Sequence, residues 1–375
     1  MQRMRSDVAV IGAGPAGSTA ARTIAHRGFD VLLLEKDEYP GFSNVCAGAM
    51  PGSIIGDMGL DPGVVEKEIT GQDHYFPWGV AGSPLENAVT VLRKVFDRAL
   101  ADRAVERGAR MLTRTLVKDV TVGSDGVTLD AGDTEISSKL VVFADGPNSF
   151  AHRKFGFGFR PDTGNTCISA VCEMEWEGNP LDRFEFYYGD RIASWGYGWV
   201  FPKKDTVNVG VGCLASRSGK NIMDPLNYLI REHPLTRDRL KDRKILTLAT
   251  ATIPVAPAGK IFGERALAVG DAAGMVDPIS AGGIHHAIHG GKIAGGVCAD
   301  ALEKGDFSSG FLSRYQDRWM RSRDYFFIYR KYLLSNAFLY LSRFDRNAYA
   351  KMTALSQGGL KGLPGTLGML AWRGK

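Results

Sequence analysis

Two short apolar runs, residues 7–11 and 29–34, flank a stretch over residues 15–26 in which small and apolar residues recur at helical spacing. The first run ends in glycines and the second in Glu35, so the pattern predicts strand, helix, strand. Residues 91–108 carry another helical period through Val91, Leu92, Val95, Phe96, Leu100 and Ala104, and Gly108 supplies the stop. Strands are expected at residues 110–116 and 140–144. Between them, residues 117–130 centre on Ser124, Asp125 and Gly126, a hairpin pattern.

From about residue 165 the pattern turns to alternation. Residues 166–174, 183–188, 198–201 and 207–213 read as strands of an antiparallel sheet with one exposed face. Residues 266–269 return to an unbroken apolar run, a buried strand, and residues 284–302 to a helical period. The chain thus leaves a nucleotide-binding unit for a β-rich insertion and comes back. Residues 306–375 read as mostly helical, with a glycine-rich tail near residues 358–368. No internal repeat or low-complexity segment interrupts this order.

Composition narrows the class without naming a chemistry. The 375 residues suffice for about two to three domains, and 44% hydrophobic with 23% charged residues describes an ordinary folded protein. Glycine stands out at 46 residues, where roughly 7% usage would give about 26, so the backbone turns sharply or approaches a ligand at many points. A net charge of +5 is spread along the chain with no arginine-rich block, and no nucleic-acid partner is expected. The five cysteines, Cys46, Cys167, Cys172, Cys213 and Cys298, form no C-x-x-C pair. Iron–sulfur and structural zinc sites are therefore not expected, and a reduced, cytoplasmic setting is. The start of the chain runs straight into a strand, without a signal-peptide pattern. The most apolar late segment, residues 326–342, is interrupted by Arg330, Lys331, Ser335 and Asn336, short of the ~20 residues a span needs. It reads as a helix docked on the core or the surface.

The first chemistry lies in Gly12-x-Gly14-x-x-Gly17. Gly12 permits a tight turn, Gly14 lets backbone N–H groups approach a pyrophosphate, and Gly17 lets helix and strand pack closely. The helix N-terminus offers unpaired donors and partial positive charge to phosphates. Glu35 stands 18 residues beyond Gly17, where its carboxylate can accept both ribose hydroxyls. Strand, glycines, helix, strand and acid in this order predict a dinucleotide site, with Ala16 inside the same turn.

Three later segments resemble the aromatic hydroxylase superfamily of flavoproteins. Arg93-Lys-Val-Phe96-Asp97-Arg-Ala-Leu100 is similar to its R-x-x-F-D-x-x-L helix, in which the arginine contacts FAD. Residues 142–149, with Asp145 and Gly146, resemble its Asp-Gly motif near the FAD pyrophosphate. Residues 268–274, with Asp271, resemble the motif whose aspartate binds the ribityl chain. The resemblance implies FAD, and Gly282, Gly283 and Ile284 beside the flavin's pyrimidine edge. Backbone donors and a helix dipole there would stabilise charge on reduced flavin. His285 and His289 share an i, i+4 face, but no carboxylate-rich set accompanies them and no metal is expected. The fold class implied is α/β: a Rossmann-like FAD-binding domain with an inserted antiparallel β-sheet substrate domain and a helical C-terminal region. The expected division is 1–75, 88–163 and 255–305 for the FAD-binding domain, 164–254 for the β-rich domain and 306–375 for the helical region.

Within that superfamily, Tyr197-Gly-Trp199-Val-Phe201-Pro202 resembles the Y-x-W-x-F-P signature of the geranylgeranyl reductase family, where it lines the channel for an isoprenoid chain. Strand geometry puts Tyr197, Trp199 and Phe201 on one face, an aromatic wall suited to a polyprenyl tail. The family pattern carries proline three residues before the tyrosine; here Ser194 stands there. Cys46 lies where many of these reductases carry a cysteine in a flavin-adjacent loop, with Ala47 between it and Gly48. The resemblance implies an enzyme that reduces isolated double bonds of geranylgeranyl or polyprenyl chains, such as those of archaeal ether phospholipids, fed by an external donor (ferredoxin, coenzyme F420 or NAD(P)H). Cys46, Tyr197 and Trp199 are the expected catalytic residues, with Cys46, Tyr197 or a water as proton donor. Peripheral contact with the inner membrane face is expected from the substrate. The rival readings are a flavin monooxygenase or halogenase, from the G-W-x-W-x-I-P stretch of halogenases, and an electron-transfer flavoprotein that delivers to quinone.

Overall fold

A computed structural model describes residues 2–42, 46–341, 345 and 347–358 of the chain. The two N-terminal strands are Val8–Ile11 and Val31–Leu34, and every residue in both is buried. The same holds for Leu140–Phe143 and Ala266–Ala268. Strands covered on both faces are apolar throughout and pair in parallel. Here they run side by side in the order 266–268, 140–143, 8–11, 31–34, with Arg110–Leu112 outermost. The two-residue strand Phe262–Gly263 adds antiparallel at the opposite edge.

Helix Pro15–His26 connects the first two of these strands, its proline at the start where no N–H is needed. Helix Ile284–Lys304 lies against it. The contact needs glycine: a Cβ at Gly291 would stand 2.5 Å from Ala16 O, and one at Gly295 would stand 2.7 Å from Ala20 O. The expected hairpin is Asp119–Val122 with Val127–Asp130, which joins Thr134–Ser138 and Gln2–Arg5 in a small four-stranded sheet.

The third sheet has eight strands in the spatial order 245–254, 166–175, 206–214, 193–202, 183–189, 65–76, 79–91, 49–51. All neighbours are antiparallel except Arg183–Gly189 with Val65–Phe76. The four strands expected from alternation are present as Thr166–Glu175, Arg183–Gly189, Ala193–Pro202 and Thr206–Leu214. The long hairpin Val65–Phe76 and Gly79–Val91 was not expected. Residues 65–75, read from the sequence within the FAD-binding segment, belong instead to this sheet. The pattern hides them because residues 79–88 are mostly exposed and include Gly82 and Pro84, so the pairing is set by the neighbouring strand rather than by local alternation.

Three helices follow: Ser309–Met320, Arg323–Leu341 and Ala348–Gly358. The first docks on the parallel sheet, where Tyr315 donates from its hydroxyl to Ala268 O at 2.9 Å. The second contains the apolar segment seen in the sequence. Among the described residues, no helix is long and apolar enough to cross a membrane. The glycine-rich tail beyond residue 358 lies outside the described residues.

Candidate active site

A single cleft of about 1260 Å³ runs from the glycine turn to the large sheet. Its first end is lined by Gly12, Gly14, Ala16, Glu35 and Asp145. Gly12 takes φ +99°, a region that favours glycine, and a Cβ there would lie 2.3 Å from Ala144 O. Gly17 does not line the cleft. Its missing Cβ would stand 1.9 Å from Gly12 O, so this glycine serves the packing of turn on helix. Gly14 caps the helix, no side chain bonds to the cap, and nothing lies within 4 Å of where its Cβ would be. The helix N-terminus is therefore bare toward the cleft.

Glu35 is buried and accepts Ala13 N at 3.1 Å with one oxygen and Asp37 N at 3.0 Å with the other. Each oxygen keeps a second lone pair for a ligand hydroxyl. Asp145 accepts Phe150 N at 2.9 Å through Oδ2, while its Oδ1 is buried with no hydrogen-bond partner among the described residues. Burial pushes the Asp145 pKa above the ordinary carboxylate range against the hydrogen bonds from Ser149 and Phe150. A bare helix terminus, spare acceptors on Glu35 and an orphaned aspartate oxygen on one wall fit a dinucleotide.

In the middle of the cleft stand Arg93, Cys46 and Asp271. Arg93 opens helix Arg93–Glu106 and is clamped one turn on by Asp97, with Nε–Oδ1 and Nη2–Oδ2 both 2.7 Å. This explains the R-x-x-F-D spacing: the fully buried Asp97 fixes the guanidinium bidentately, and Phe96 anchors the helix in the core. Burial would lower the Arg93 pKa, but Asp97 and then Cys46 outweigh it, and the group is held above its usual range. Asp271 is shifted up by burial, with Arg93 opposing. The Cys46 sulfur accepts Gly48 N at 3.4 Å.

Gly282, Gly283 and Ile284 line the next stretch, where Gly283 caps helix Ile284–Lys304 without a side-chain bond. The loop before it is held from several sides. Asp277 Oδ1 accepts Ile279 N at 2.9 Å and Ser280 N at 3.1 Å, and its other oxygen pairs with Lys331. Tyr349 donates to Ile279 O, and Tyr197 donates to Ser280 O at 2.5 Å. Burial pushes the Tyr197 phenol well above its usual range, so its proton stays on the oxygen.

Tyr197, Trp199 and Phe201 all face the cleft from one strand, as period-2 spacing requires. Trp195 and Tyr349 extend the aromatic wall, with centroids 5.7 Å apart. Helix Arg323–Leu341 contributes Tyr332, Ser335, Asn336 and Leu339. None of these was expected in the site: Ser335 and Asn336 were read only as interrupting an apolar segment, and the spacing of apolar residues on this helix does not reveal which face lines a cleft.

Beneath Trp199 lies a polar network that the sequence reading also missed. Trp199 Nε1 donates to Asn208 Oδ1 at 2.8 Å, and Asn208 Nδ2 donates to Glu173 Oε2 at 2.9 Å and to Cys46 O at 3.5 Å. Glu173 is paired with Lys203 at 2.8 Å and accepts the Thr206 hydroxyl. Asn208 thus ties the signature strand to the Cys46 loop. Across from Trp199 in register stands Gly210, whose Cβ would lie 2.1 Å from the indole. The signal was available: Asn208, Gly210 and Gly212 alternate with valines, a polar-and-small face opposite an aromatic one.

The histidines turn elsewhere. His286 and His289 both approach Asp324 Oδ2, at 3.2 and 2.9 Å, across the helix pair. With His285 they line a second cavity rather than the cleft. Burial, then neighbouring His286, lowers the His285 pKa to about 4. Among the described residues, no group of three or more His, Cys, Asp or Glu is arranged to hold a metal.

Comparison with known proteins agrees with this geometry. Residues 165–253 match the model of the geranylgeranyl reductase catalytic domain, and residues 10–45 that of an NAD(P)-binding Rossmann-like domain. The chain is 38% identical over 336 residues to digeranylgeranylglycerophospholipid reductase 2 of Methanothermobacter thermautotrophicus, covering 85% of this chain and 84% of the relative. It is 34% identical over 346 residues to the digeranylgeranylglycerophospholipid reductase of Methanocaldococcus jannaschii, covering 87% and 85%. A geranylgeranyl bacteriochlorophyll reductase-like structure from Thermoplasma acidophilum superposes with a TM-score of 0.84 at 26% identity, over 95% of this chain and 92% of that one. The flavin-dependent brominase Bmp2 (triple mutant) shares the fold, with a TM-score of 0.73 at 22% identity over 95% and 96%. The chain belongs to the geranylgeranyl reductase family of flavin oxidoreductases.

Proposed function

We propose that the cleft binds FAD and that the enzyme saturates isolated double bonds of the geranylgeranyl chains of an archaeal-type glycerophospholipid. The observation that carries this reading is the continuity of the cleft from the glycine turn to the aromatic wall. The substrate class follows the names of the relatives, which are digeranylgeranylglycerophospholipid reductases. Reduced FAD would supply a hydride to one alkene carbon, while a proton goes to the other.

Gly12, Gly14 and Ala16 would take the pyrophosphate with Asp145 beside it, Glu35 the ribose, and Asp271 the ribityl chain. Arg93, locked by Asp97, would stand by the flavin with a fixed cation. Gly282, Gly283 and Ile284 would offer backbone donors and a helix dipole to charge on the reduced ring. Tyr197, Trp199 and Phe201 would hold the polyprenyl chain, and their π faces would favour cationic character on a tertiary carbon in a dry site. Tyr197 keeps its proton engaged with Ser280 O, which leaves the Cys46 thiol as the better proton source on the wall. Electrons would reach the flavin from an external donor, and the enzyme would work at the cytoplasmic membrane face, where such a lipid resides.

The test is product analysis. Under nitrogen, with dithionite as reductant, purified enzyme should convert digeranylgeranylglycerophospholipid to species heavier by two hydrogens per saturated bond. An unchanged lipid under nitrogen, together with hydroxylated or halogenated products in air, would refute the reading.

A further inference from the structure

Helix Arg323–Leu341 turns one face to the cleft and carries a second, exposed apolar face beside it. At 3.6 residues per turn, Tyr332, Ser335 and Leu339 fall on one side, and all three line the cleft. Phe326, Leu333 and Tyr340 share a second side, about a third of a turn round, with Tyr329 and Ala337 beside them. These outer side chains are exposed: Phe326 by 54%, Leu333 by 50% and Tyr340 by 77%. Scattered surface hydrophobics need no explanation, but an aromatic stripe running the length of a helix does.

A cation sits on the stripe: the Arg330 guanidinium lies 5.3 Å over the Phe326 ring. Arg323 lies 5.4 Å over Phe327 at the edge of the second cavity, which both residues line. Among the described residues neither arginine makes an ion pair. The one acid of the helix, Asp324, is turned inward to His286 and His289. The outer face therefore presents aromatic rings and uncompensated positive charge together.

We propose that this stripe docks on the surface of an anionic lipid bilayer, making helix Arg323–Leu341 the wall between membrane and cleft. The inference rests on the reading of the substrate as a membrane phospholipid. The helix does not meet the length and hydropathy needed to cross, so it would lie in the interface plane with its rings among the headgroups. Charge selects this occupant over a second copy of the chain. Stripe against stripe would bring Arg330 toward its own duplicate, whereas a lipid phosphate neutralises it. A polyprenyl chain would then pass from the bilayer around one helix to reach Tyr332 and Leu339.

The experiment is sedimentation of the full-length flavin-loaded enzyme with phosphatidylcholine vesicles, with and without phosphatidylglycerol. Wild type should pellet with the anionic vesicles and be released by salt. Arg330→Gln should weaken binding by about fivefold. Phe326→Ser with Leu333→Ser should weaken it by at least about tenfold. Both variants should keep the flavin spectrum and full reduction of detergent-dispersed substrate, which shows that they fold. Wild type that stays in the supernatant, or serine variants that pellet undiminished, would overturn the proposal. So would a dimer that the serine variants dissociate, with no vesicle binding. Normal pelleting with no reduction of detergent-dispersed lipid would leave the docking surface standing and sink the substrate reading instead.

Discussion

Gly14 and Gly17 are three residues apart and would respond oppositely to a methyl group. At Gly17 the Cβ would meet Gly12 O at 1.9 Å, so Gly17→Ala should destabilise the fold by roughly 1–3 kcal/mol in denaturant titration. At Gly14 nothing stands within 4 Å, so Gly14→Ala should leave stability nearly unchanged and weaken flavin retention on gel filtration. If both lost stability equally, the division of roles between turn and ligand would be wrong. The packing role of Gly17 was legible in the sequence, because spacing in a strand–turn–helix unit dictates which glycine meets the turn. Asn208 was not singled out: its alternation with Gly210 and Gly212 against valines was visible, but its partners Trp199 and Glu173 emerge only from the strand register. Asn208→Ala would strand the Trp199 N–H and one bond of Glu173. A buried donor left unpaired costs about 1–3 kcal/mol. The variant should raise KM for the lipid more than it lowers binding of flavin, because the network supports the aromatic wall.

Among elements, the parallel strands declared themselves by unbroken apolar runs, and the signature strand by its alternation. The hairpin Val65–Phe76 and Gly79–Val91 did not, because much of it is exposed and its order depends on Arg183–Gly189. The same limit applies to the helix that lines the far end of the cleft. Pairing across strands also gives Gly210 its meaning. The indole of Trp199 lies where a Cβ would be, so Gly210→Ala should push the ring into the cleft. We expect slower reduction of long polyprenyl chains than of short ones in this variant, measured as the ratio of kcat/KM values. An unchanged ratio would separate the Trp199 ring from chain binding.

For the whole molecule, buried histidines contribute to the loss of stability in acid. His74 sits in the long hairpin, stacked 4.6 Å from Phe186, with Nδ1 2.9 Å from the Tyr188 hydroxyl. Burial lowers its pKa to about 4, as it does for His285. A histidine whose folded value lies below its unfolded value of about 6.5 binds its proton more readily when unfolded. Stability is therefore complete above that value and is lost as pH falls toward 4, by up to about 3 kcal/mol for each histidine. Urea midpoints should fall steadily across this window, and His74→Phe should flatten part of the slope. A midpoint that holds constant from pH 7 to pH 4 would show that neither group is neutral by burial.

One cavity joins the glycine turn to the aromatic wall, so the proposed function requires electrons to pass directly between the occupants of its two ends. The decisive measurement is anaerobic stopped-flow absorbance. Enzyme is reduced stoichiometrically and mixed, without oxygen or other acceptor, with digeranylgeranylglycerophospholipid. Reoxidation of the flavin with one double bond saturated per flavin is expected, slowed in Cys46→Ala and blocked when the lipid is already saturated. Flavin that stays reduced beside the unsaturated lipid and reoxidises only when air is admitted would contradict the proposed function.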